Sequence, residues 1–261
     1  MKRTFKYIYG PVASWRLGSS LGIDSLSQEE KICGFNCIYC QLGPTLCYTV
    51  KRQIFVPVKD IIKEINDLPS IHIDYITFAG SGEPTLARNL GQAIKAVKAL
   101  GKAPVAVLTN SSLLHLDSVR KELLPADYVS VKLDASSPES LQMINDPDKT
   151  IQFAKLLSGI IEFRKQYQGY LALQIMFLEQ NKNDADKMIS LIKKIKPDEV
   201  QINTPLRKCA VKPQAKKNII KIKKAIAAAC KGIAVVSVYD KKERLDIHSI
   251  SAVETLKRRG K

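Results

Sequence analysis

The sequence predicts an α/β fold in which parallel strands alternate with helices to form a partial (β/α)6 barrel of the TIM type. Short apolar runs alternate with amphipathic helical patterns along most of the 261 residues. Strands that are separated by helices imply parallel pairing through right-handed crossovers. About six such units occur in succession, which fits an open barrel.

Each predicted element follows from its own residue pattern. The first strand lies near residues 21–26, before a cysteine-rich loop. Six further strands are short apolar runs, several of them rich in β-branched residues, and cover 71–80, 103–110, 126–135, 170–181, 198–205 and 233–239. Six helices show apolar residues at helical spacing, and cover 56–68, 86–100, 117–124, 150–167, 184–195 and 214–232.

The chain is expected to form one core domain over residues 1–240, because no linker or low-complexity tract interrupts the alternation. Residues 241–261 are highly charged and fit none of the strand–helix units. We therefore expect them to form a charged C-terminal extension.

Composition limits the class of protein. Apolar residues make up 45% of the chain, so a normal core needs no disulfides. The N-terminal segment is mixed and polar, unlike a signal peptide, and no apolar run reaches the length of a membrane span. A cytoplasmic protein with reduced cysteines is expected.

The charge balance points to polyanionic partners. Forty-one Lys and Arg residues against 25 Asp and Glu residues give a net charge of +16. Such an excess favours nucleic acid first and anionic surfaces second, although a lysine-rich proteome gives the same balance.

Four of the six cysteines fall in one short stretch that begins "KICGFNCIYCQLG". Cys33, Cys37 and Cys40 have C-x-x-x-C-x-x-C spacing, and Cys47 follows closely. In a reducing compartment such a group binds metal or acts in catalysis. A four-cysteine zinc site would usually show two C-x-x-C knuckles, so the spacing favours an iron–sulfur cluster over zinc or chance.

Polar side chains also stand where the predicted strands end, and ligands bind at that end of a parallel barrel. The second strand ends in "GSGEPT", whose Gly80 and Gly82 let the backbone approach a ligand and whose Glu83 is able to accept hydrogen bonds from an ammonium group. The polar groups at the later ends are Thr109–Ser112, Lys132, Asp134, Gln174, Glu179, Gln201 and Asn203.

The motif "CGFNCIYC" with "GSGEP" one unit later resembles the radical S-adenosylmethionine (SAM) superfamily over about residues 9–240. In that family three cysteines bind a [4Fe–4S] cluster, and the open iron chelates the amino and carboxylate groups of SAM. Reductive cleavage then gives methionine and a 5′-deoxyadenosyl radical that abstracts a substrate hydrogen. An external electron donor of the flavodoxin or ferredoxin type is implied.

The resemblance implies a role for each matching residue. Cys33, Cys37 and Cys40 would ligate the cluster, and Tyr39 would contact the adenine. The turn formed by Gly80, Ser81, Gly82 and Glu83 would bind the methionyl ammonium. The residues implied to line the carboxylate, ribose and adenine are Asn110, Lys132, Asp134, Gln174 and Asn203.

Two further stretches, "GPVASWRLGSSLGID" and "INTPLR", resemble the branch that contains the wyosine-forming tRNA enzymes and related iron–sulfur oxidoreductases. Those enzymes carry a second cluster upstream of the main motif, whereas this chain has no cysteine before Cys33. Cys47 and Cys209 are too few to hold a second cluster, and Cys230 shares a helical face with apolar residues that predicts core packing.

Three functions are compatible with these observations. The first is a radical SAM enzyme that modifies RNA, with tRNA foremost. The second is a radical SAM enzyme that acts on a protein or small molecule, and the third is a metal-dependent RNA-binding module without catalysis. The polar residues at successive strand ends argue against the third function, because a binding module has no need of a polar barrel mouth.

Overall fold

The computed structural model describes residues 5–240 and 247–259. Its strands are β1 (Ile8–Ser14), β2 (Gly18–Ile23), β3 (Ile32–Cys33), β4 (Cys47–Tyr48), β5 (Tyr75–Phe78), β6 (Val105–Thr109), β7 (Tyr128–Lys132), β8 (Tyr170–Met176), β9 (Glu199–Asn203) and β10 (Ala234–Ser237). Its α-helices are α1 (Val58–Asn66), α2 (Leu90–Ala99), α3 (Asp117–Leu123), α4 (Pro138–Asn145), α5 (Phe153–Gln166), α6 (Ala185–Ile195), α7 (Lys216–Ala229) and α8 (Ala252–Arg259).

One curled sheet carries the fold, with the strand order β1-β2-β5-β6-β7-β8-β9-β10. All neighbours from β2 to β10 pair in parallel, and β1 alone runs antiparallel, against β2. In the described part of the chain, β1 and β10 do not pair with each other, so the barrel stays open along one side. The predicted partial barrel is confirmed.

The structure also shows elements that the sequence patterns did not predict. These are the antiparallel strand β1, the small β3–β4 sheet in the cysteine loop, and the helices α4 and α8. They matter for function, because β1 and α8 border the open side and β3, β4 and α4 hold the cysteine loop.

The core lies between the sheet and its outer helices. On α1, Ile61 and Ile65 are buried while Ile62 is only partly so, in keeping with the predicted amphipathic face. Burying each such side chain stabilises the fold by about 1.5–3 kcal/mol. This packing fixes the strands, and their carboxyl ends share one edge of the sheet as a result.

The boundary between a core ending at residue 240 and an extension from 241 remains our proposal. Residues 241–246 lie outside the described residues. Helix α8 packs along β1, where Gly10 and Ser251 form an isolated bridge. Among the described residues, no helix combines the length and the apolar character that crossing a bilayer requires.

Candidate active site

The cysteine loop runs from β3 to β4 and is clamped by the end of α4. The amide of Asn36 donates to the carbonyl of Asn145 at 2.9 Å, and the amide of Ile38 donates to the carbonyl of Ile144 at 3.0 Å. The Thr45 hydroxyl donates to the carbonyl of Phe35 at 2.7 Å. These bonds fix the backbone on which the three thiols stand.

The three thiols are free, and Cys33 is buried while Cys37 and Cys40 are half-buried. All six cysteines, each within the described residues, are unpaired, and Cys33 is 8% exposed. Burial raises the pKa of the Cys33 thiol to about 12, and burial also raises the pKa of Cys37. The thiols of Cys33 and Cys37 are therefore neutral in the metal-free loop, and a bound metal must displace their protons.

Amide groups donate to two of the three sulfurs. Asn110 Nδ2 lies 3.3 Å from Cys33 Sγ, and Asn145 Nδ2 lies 3.3 Å from Cys37 Sγ. Such donors stabilise negative charge on a thiolate, and they help to set the potential of a cluster.

No three His, Cys, Asp or Glu side chains in the described residues converge as ligands of a single metal ion. A cubane cluster differs, because its three thiolates bind three separate irons. The donor set of three thiols on one short loop fits this group.

The glycine turn after β5 is joined directly to the cysteine loop. The amide of Ile32 donates to the carbonyl of Ser81 at 3.2 Å, and the amide of Glu83 donates to the carbonyl of Ile32 at 3.1 Å. A Cβ atom on Gly82 would lie 1.8 Å from that same carbonyl oxygen of Ile32. The turn and the loop are therefore held in register only because residue 82 is glycine.

We expect Gly82→Ala to destabilise the metal-free protein by about 2–3 kcal/mol, because its Cβ would collide with the backbone of Ile32. The free energy of unfolding from chemical denaturation checks this.

Ser81→Ala is the matched control, because the buried Ser81 hydroxyl has no hydrogen-bond partner among the described residues. Removing it should leave the free energy of unfolding within about 0.5 kcal/mol of the wild type. Equal stability of the two variants would contradict a steric role for Gly82.

Glu83 lies beneath the turn and is 2% exposed. Its Oε1 accepts from the amide and hydroxyl of Thr85 and from the hydroxyl of Thr109, and its Oε2 accepts from the amide of Asn110 at 2.6 Å. Burial raises the pKa of this carboxyl, while the bonds from Thr109 and Thr85 oppose the shift. Glu83 therefore links the turn to the end of β6.

A second polar network surrounds Tyr39 at the end of β7. The Tyr39 hydroxyl donates to Asp134 Oδ2, Lys132 Nζ donates to Asp134 Oδ1 at 2.7 Å, and Asn145 Nδ2 donates to Asp134 Oδ2 at 3.0 Å. The ammonium of Lys132 also lies 4.7 Å from the centre of the Tyr39 ring. The network holds Lys132 beside the cysteine loop.

A cavity of about 610 Å³ opens on the concave side of the sheet. Its wall brings together six of the predicted site residues, namely Tyr39, Cys40, Gly80, Lys132, Gln174 and Asn203. Six other predicted residues do not line this cavity, namely Cys33, Cys37, Gly82, Glu83, Asn110 and Asp134. Three of them contact neighbouring site residues: Asn110 contacts Cys33, Asp134 contacts Tyr39 and Lys132, and Glu83 contacts Asn110. Ser81 faces a neighbouring cavity of about 710 Å³.

The site offers polar atoms that the protein itself leaves unsatisfied. Among the described residues, the Ser81 hydroxyl and Asn145 Oδ1 are buried without hydrogen-bond partners. Buried polar atoms normally have partners, so such atoms indicate a place for a ligand. Together with the thiols, they fit a cluster and a polar cofactor.

Sequence reasoning missed several residues of the site. Asn145 ends a helix whose start, Ser137 followed by Pro138, is a recognisable capping signal. Arg16, Arg207 and Arg258 also line the cavity. Arg16, in the β1–β2 turn, and Arg207, in the loop after β9, belong to the stretches "GPVASWRLGSSLGID" and "INTPLR", whose family resemblance gave them no role at the site. Nothing local in the sequence marks Arg258, which reaches the cavity from the C-terminal helix.

A sequence model of one superfamily and proteins of other organisms match this chain. The model of the radical SAM superfamily matches residues 31–192, more than half of the chain. A UPF0026 protein of Synechocystis sp. is 44% identical over 208 residues, which cover 79% of this chain and 78% of that protein. A UPF0026 protein of Methanocaldococcus jannaschii is 37% identical, with 76% of this chain and 63% of that protein covered.

A protein of Brachyspira hyodysenteriae named GTPase Obg is 40% identical over 90% of this chain. The chain spans only 36% of that protein's length.

Solved structures show the same fold. Streptococcus suis SuiB bound to S-adenosylmethionine superposes with a TM-score of 0.62 at 12% identity, over 80% of this chain and 48% of that one. Archaeal TYW1 superposes with a TM-score of 0.59 at 13% identity, over 80% of this chain and 72% of that one. These structures share the fold of this chain, and the matched sequence model, which covers more than half of it, shows that the chain belongs to the radical SAM superfamily of enzymes.

Proposed function

We propose that the protein holds a [4Fe–4S] cluster on Cys33, Cys37 and Cys40, cleaves SAM reductively, and modifies RNA, with tRNA as the first candidate. The observation that supports an anionic substrate most strongly is the charge of the cavity wall. Four cationic side chains line it and none of its described residues is Asp or Glu, because the carboxylates that pair with Lys132 and Arg258, namely Asp134, Asp24 and Glu254, lie outside the wall. The cations are Arg16, Lys132, Arg207 and Arg258.

When bound, the cluster and SAM together supply a carbon radical that abstracts a hydrogen atom from the substrate. The chain's own residues do the binding and orienting. The turn at Gly80 would hold the amino group of SAM, and Tyr39 would pack against its adenine. Lys132, held by Asp134, places a positive charge in the cavity where a phosphate or another anionic group is able to bind.

The basic wall continues onto the surface beside the opening. Arg207 and Lys208 follow the carboxyl end of β9 and are exposed, as is Lys212 in the same loop. Phosphate contacts of this kind position a nucleic acid without reading its sequence. A base must leave its stack to reach an enclosed cavity, so an unpaired loop nucleotide is the expected target.

We propose the cytoplasm as the compartment and an external flavodoxin or ferredoxin as the electron donor. Six free thiols and an iron–sulfur cluster suit a reducing environment.

Reversing charge at the opening should weaken RNA binding. We expect the double variant Arg207→Glu/Lys208→Glu to bind tRNA at least about tenfold more weakly than the wild type in about 0.1 M salt, because it replaces phosphate attraction with repulsion. The slope of log affinity against log salt concentration should also become less steep, by about 0.7 for each phosphate contact with single-stranded RNA that is lost. Filter binding at several salt concentrations measures both.

The matched control is Lys193→Glu/Lys194→Glu, which makes the same charge change in the last turn of α6, near the amino end of β9 and away from the cavity. It should bind tRNA within about twofold of the wild type once the salt is about 0.1 M. Equal losses in both variants, or no preference for tRNA over duplex RNA, would contradict an RNA site at the opening. The preferred hypothesis would then be a radical SAM enzyme that acts on a protein or a small molecule.

A further inference from the structure

The C-terminal helix α8 is fastened to the strand that borders the cavity. The amide of Gly10 donates to Thr255 Oγ1 at 3.1 Å, and Gly10 also bridges to Ser251. These contacts dock α8 on β1 and point its last turn towards the end of β2.

Arg258 in that last turn is buried, with 6% of its side chain exposed. Its Nε donates to Asp24 Oδ2 at 3.1 Å, and its other nitrogens donate to Ser27 Oγ at 3.2 Å, to the carbonyl of Lys6 and to Glu254. A guanidinium with so many partners is fixed in position. Arg258 lines both the main cavity and its neighbour.

Asp24 connects this arginine to the glycine turn. Its Oδ2 accepts from the amide of Ser81 at 3.2 Å as well as from Arg258, and its Oδ1 accepts from the amides of Leu26 and Ser27 at 3.2 and 2.9 Å. A Cβ atom on Gly80 would lie 2.4 Å from Asp24 Cγ, so the carboxylate lies against the turn itself.

We propose that Arg258 is a positioning residue for SAM: through Asp24 it fixes the backbone of the turn at Gly80 and Ser81. The Asp24 side chain is only 2% exposed, so loss of Arg258 would leave a buried carboxylate without its counter-charge. Asp24 would then shift towards water or other donors and release the Ser81 amide. The inference rests on the placement of SAM at this turn and does not depend on RNA as the substrate.

Equilibrium binding of SAM tests the proposal. The protein is reconstituted anaerobically and titrated calorimetrically without reductant, so that no cleavage occurs. Arg258→Gln and Asp24→Asn should each raise the Kd for SAM by about tenfold or more, with unchanged iron content. The double variant Arg258→Gln/Asp24→Asn should have a Kd for SAM no higher than that of the single variant that binds SAM more weakly, because both residues act through one contact. Arg258→Lys, which keeps the charge, should recover part of the loss.

Thr255→Val is the control for the docking of α8, because it removes the bond from Gly10 and leaves Asp24 untouched. Its Kd for SAM should stay within about twofold of the wild type. An equal loss in Thr255→Val, additive losses in the double variant, or normal SAM binding by Arg258→Gln would each overturn the proposal. Normal SAM binding by both Glu83→Gln and Arg258→Gln would remove SAM from the turn altogether, whereas a loss in Glu83→Gln with normal binding by Arg258→Gln would leave SAM at the turn and overturn only the part of Arg258.

Discussion

Alanine in place of Cys33, Cys37 or Cys40 should abolish the iron–sulfur cluster, while the wild-type protein reconstituted under anaerobic conditions should hold about four irons and four sulfides per chain. The three thiols stand on one loop that β3, β4 and α4 hold in place. Each thiolate would bind a different iron, so none can replace another. Iron and sulfide analysis, with the visible absorbance of the cluster, measures the loss.

Cys209→Ala and Cys230→Ala are the controls. Cys230 is buried at the end of α7 beside Ile226, and Cys209 donates to the carbonyl of Val211 at 3.2 Å. Neither is expected to change the iron content. Stoichiometric zinc without iron would contradict the cluster, and about eight irons per chain would show a second cluster that involves Cys47 and Cys209.

The elements that sequence patterns predicted well are those whose own residues determine their burial. Helices α5 and α7 each show a full apolar face, β6 is apolar up to its final Thr109, and β8 is apolar apart from Tyr170 and Gln174. Strand β1 escaped prediction because Gly10 and Pro11 interrupt its pattern, and it is an edge strand that runs antiparallel to β2.

The site divides in the same way. The cysteine triad could be predicted because its spacing is local. The glycine turn could be predicted because glycines at a strand end let the backbone approach a ligand closely. The bonds from Asn145 to Cys37 and from Arg258 to Asp24 join residues 108 and 234 positions apart. One sequence gives no sign of such pairs, since only the folded sheet brings them together.

Glu83 shows how the structure changes an expectation drawn from sequence. The motif alone suggests a carboxylate whose part is to accept hydrogen bonds from the ammonium group of the cofactor. In the structure, its two oxygens already accept four hydrogen bonds, from Thr85, Thr109 and Asn110. Truncation to alanine would therefore disturb both the fold and the cofactor site, and it cannot separate them.

Glu83→Gln is the sharper change, because it removes the charge and keeps the shape. We expect it to weaken SAM binding by about 100-fold, or about 2.8 kcal/mol, because the ammonium of SAM would lose its charged acceptor in a buried site. When SAM is limiting, the reductant-dependent formation of 5′-deoxyadenosine should fall together with the affinity for SAM. Calorimetric titration of the reconstituted protein measures the binding, and the melting temperature of the same sample reports the fold.

Thr109→Val distinguishes the contribution of the Glu83 charge from that of the hydrogen bonds around Glu83. It deletes one hydroxyl that donates to Glu83 Oε1 and leaves the carboxylate in place. The loss of that bond, together with the 3.1 Å bond that the same hydroxyl accepts from the amide of Ser111, should destabilise the fold by about 1–3 kcal/mol, since buried polar groups lose their partners. SAM affinity should fall less than about tenfold, because the acceptor for the ammonium persists. If Thr109→Val weakened SAM binding as much as Glu83→Gln, the charge of Glu83 would have no special part in binding, and the turn would act through its shape alone.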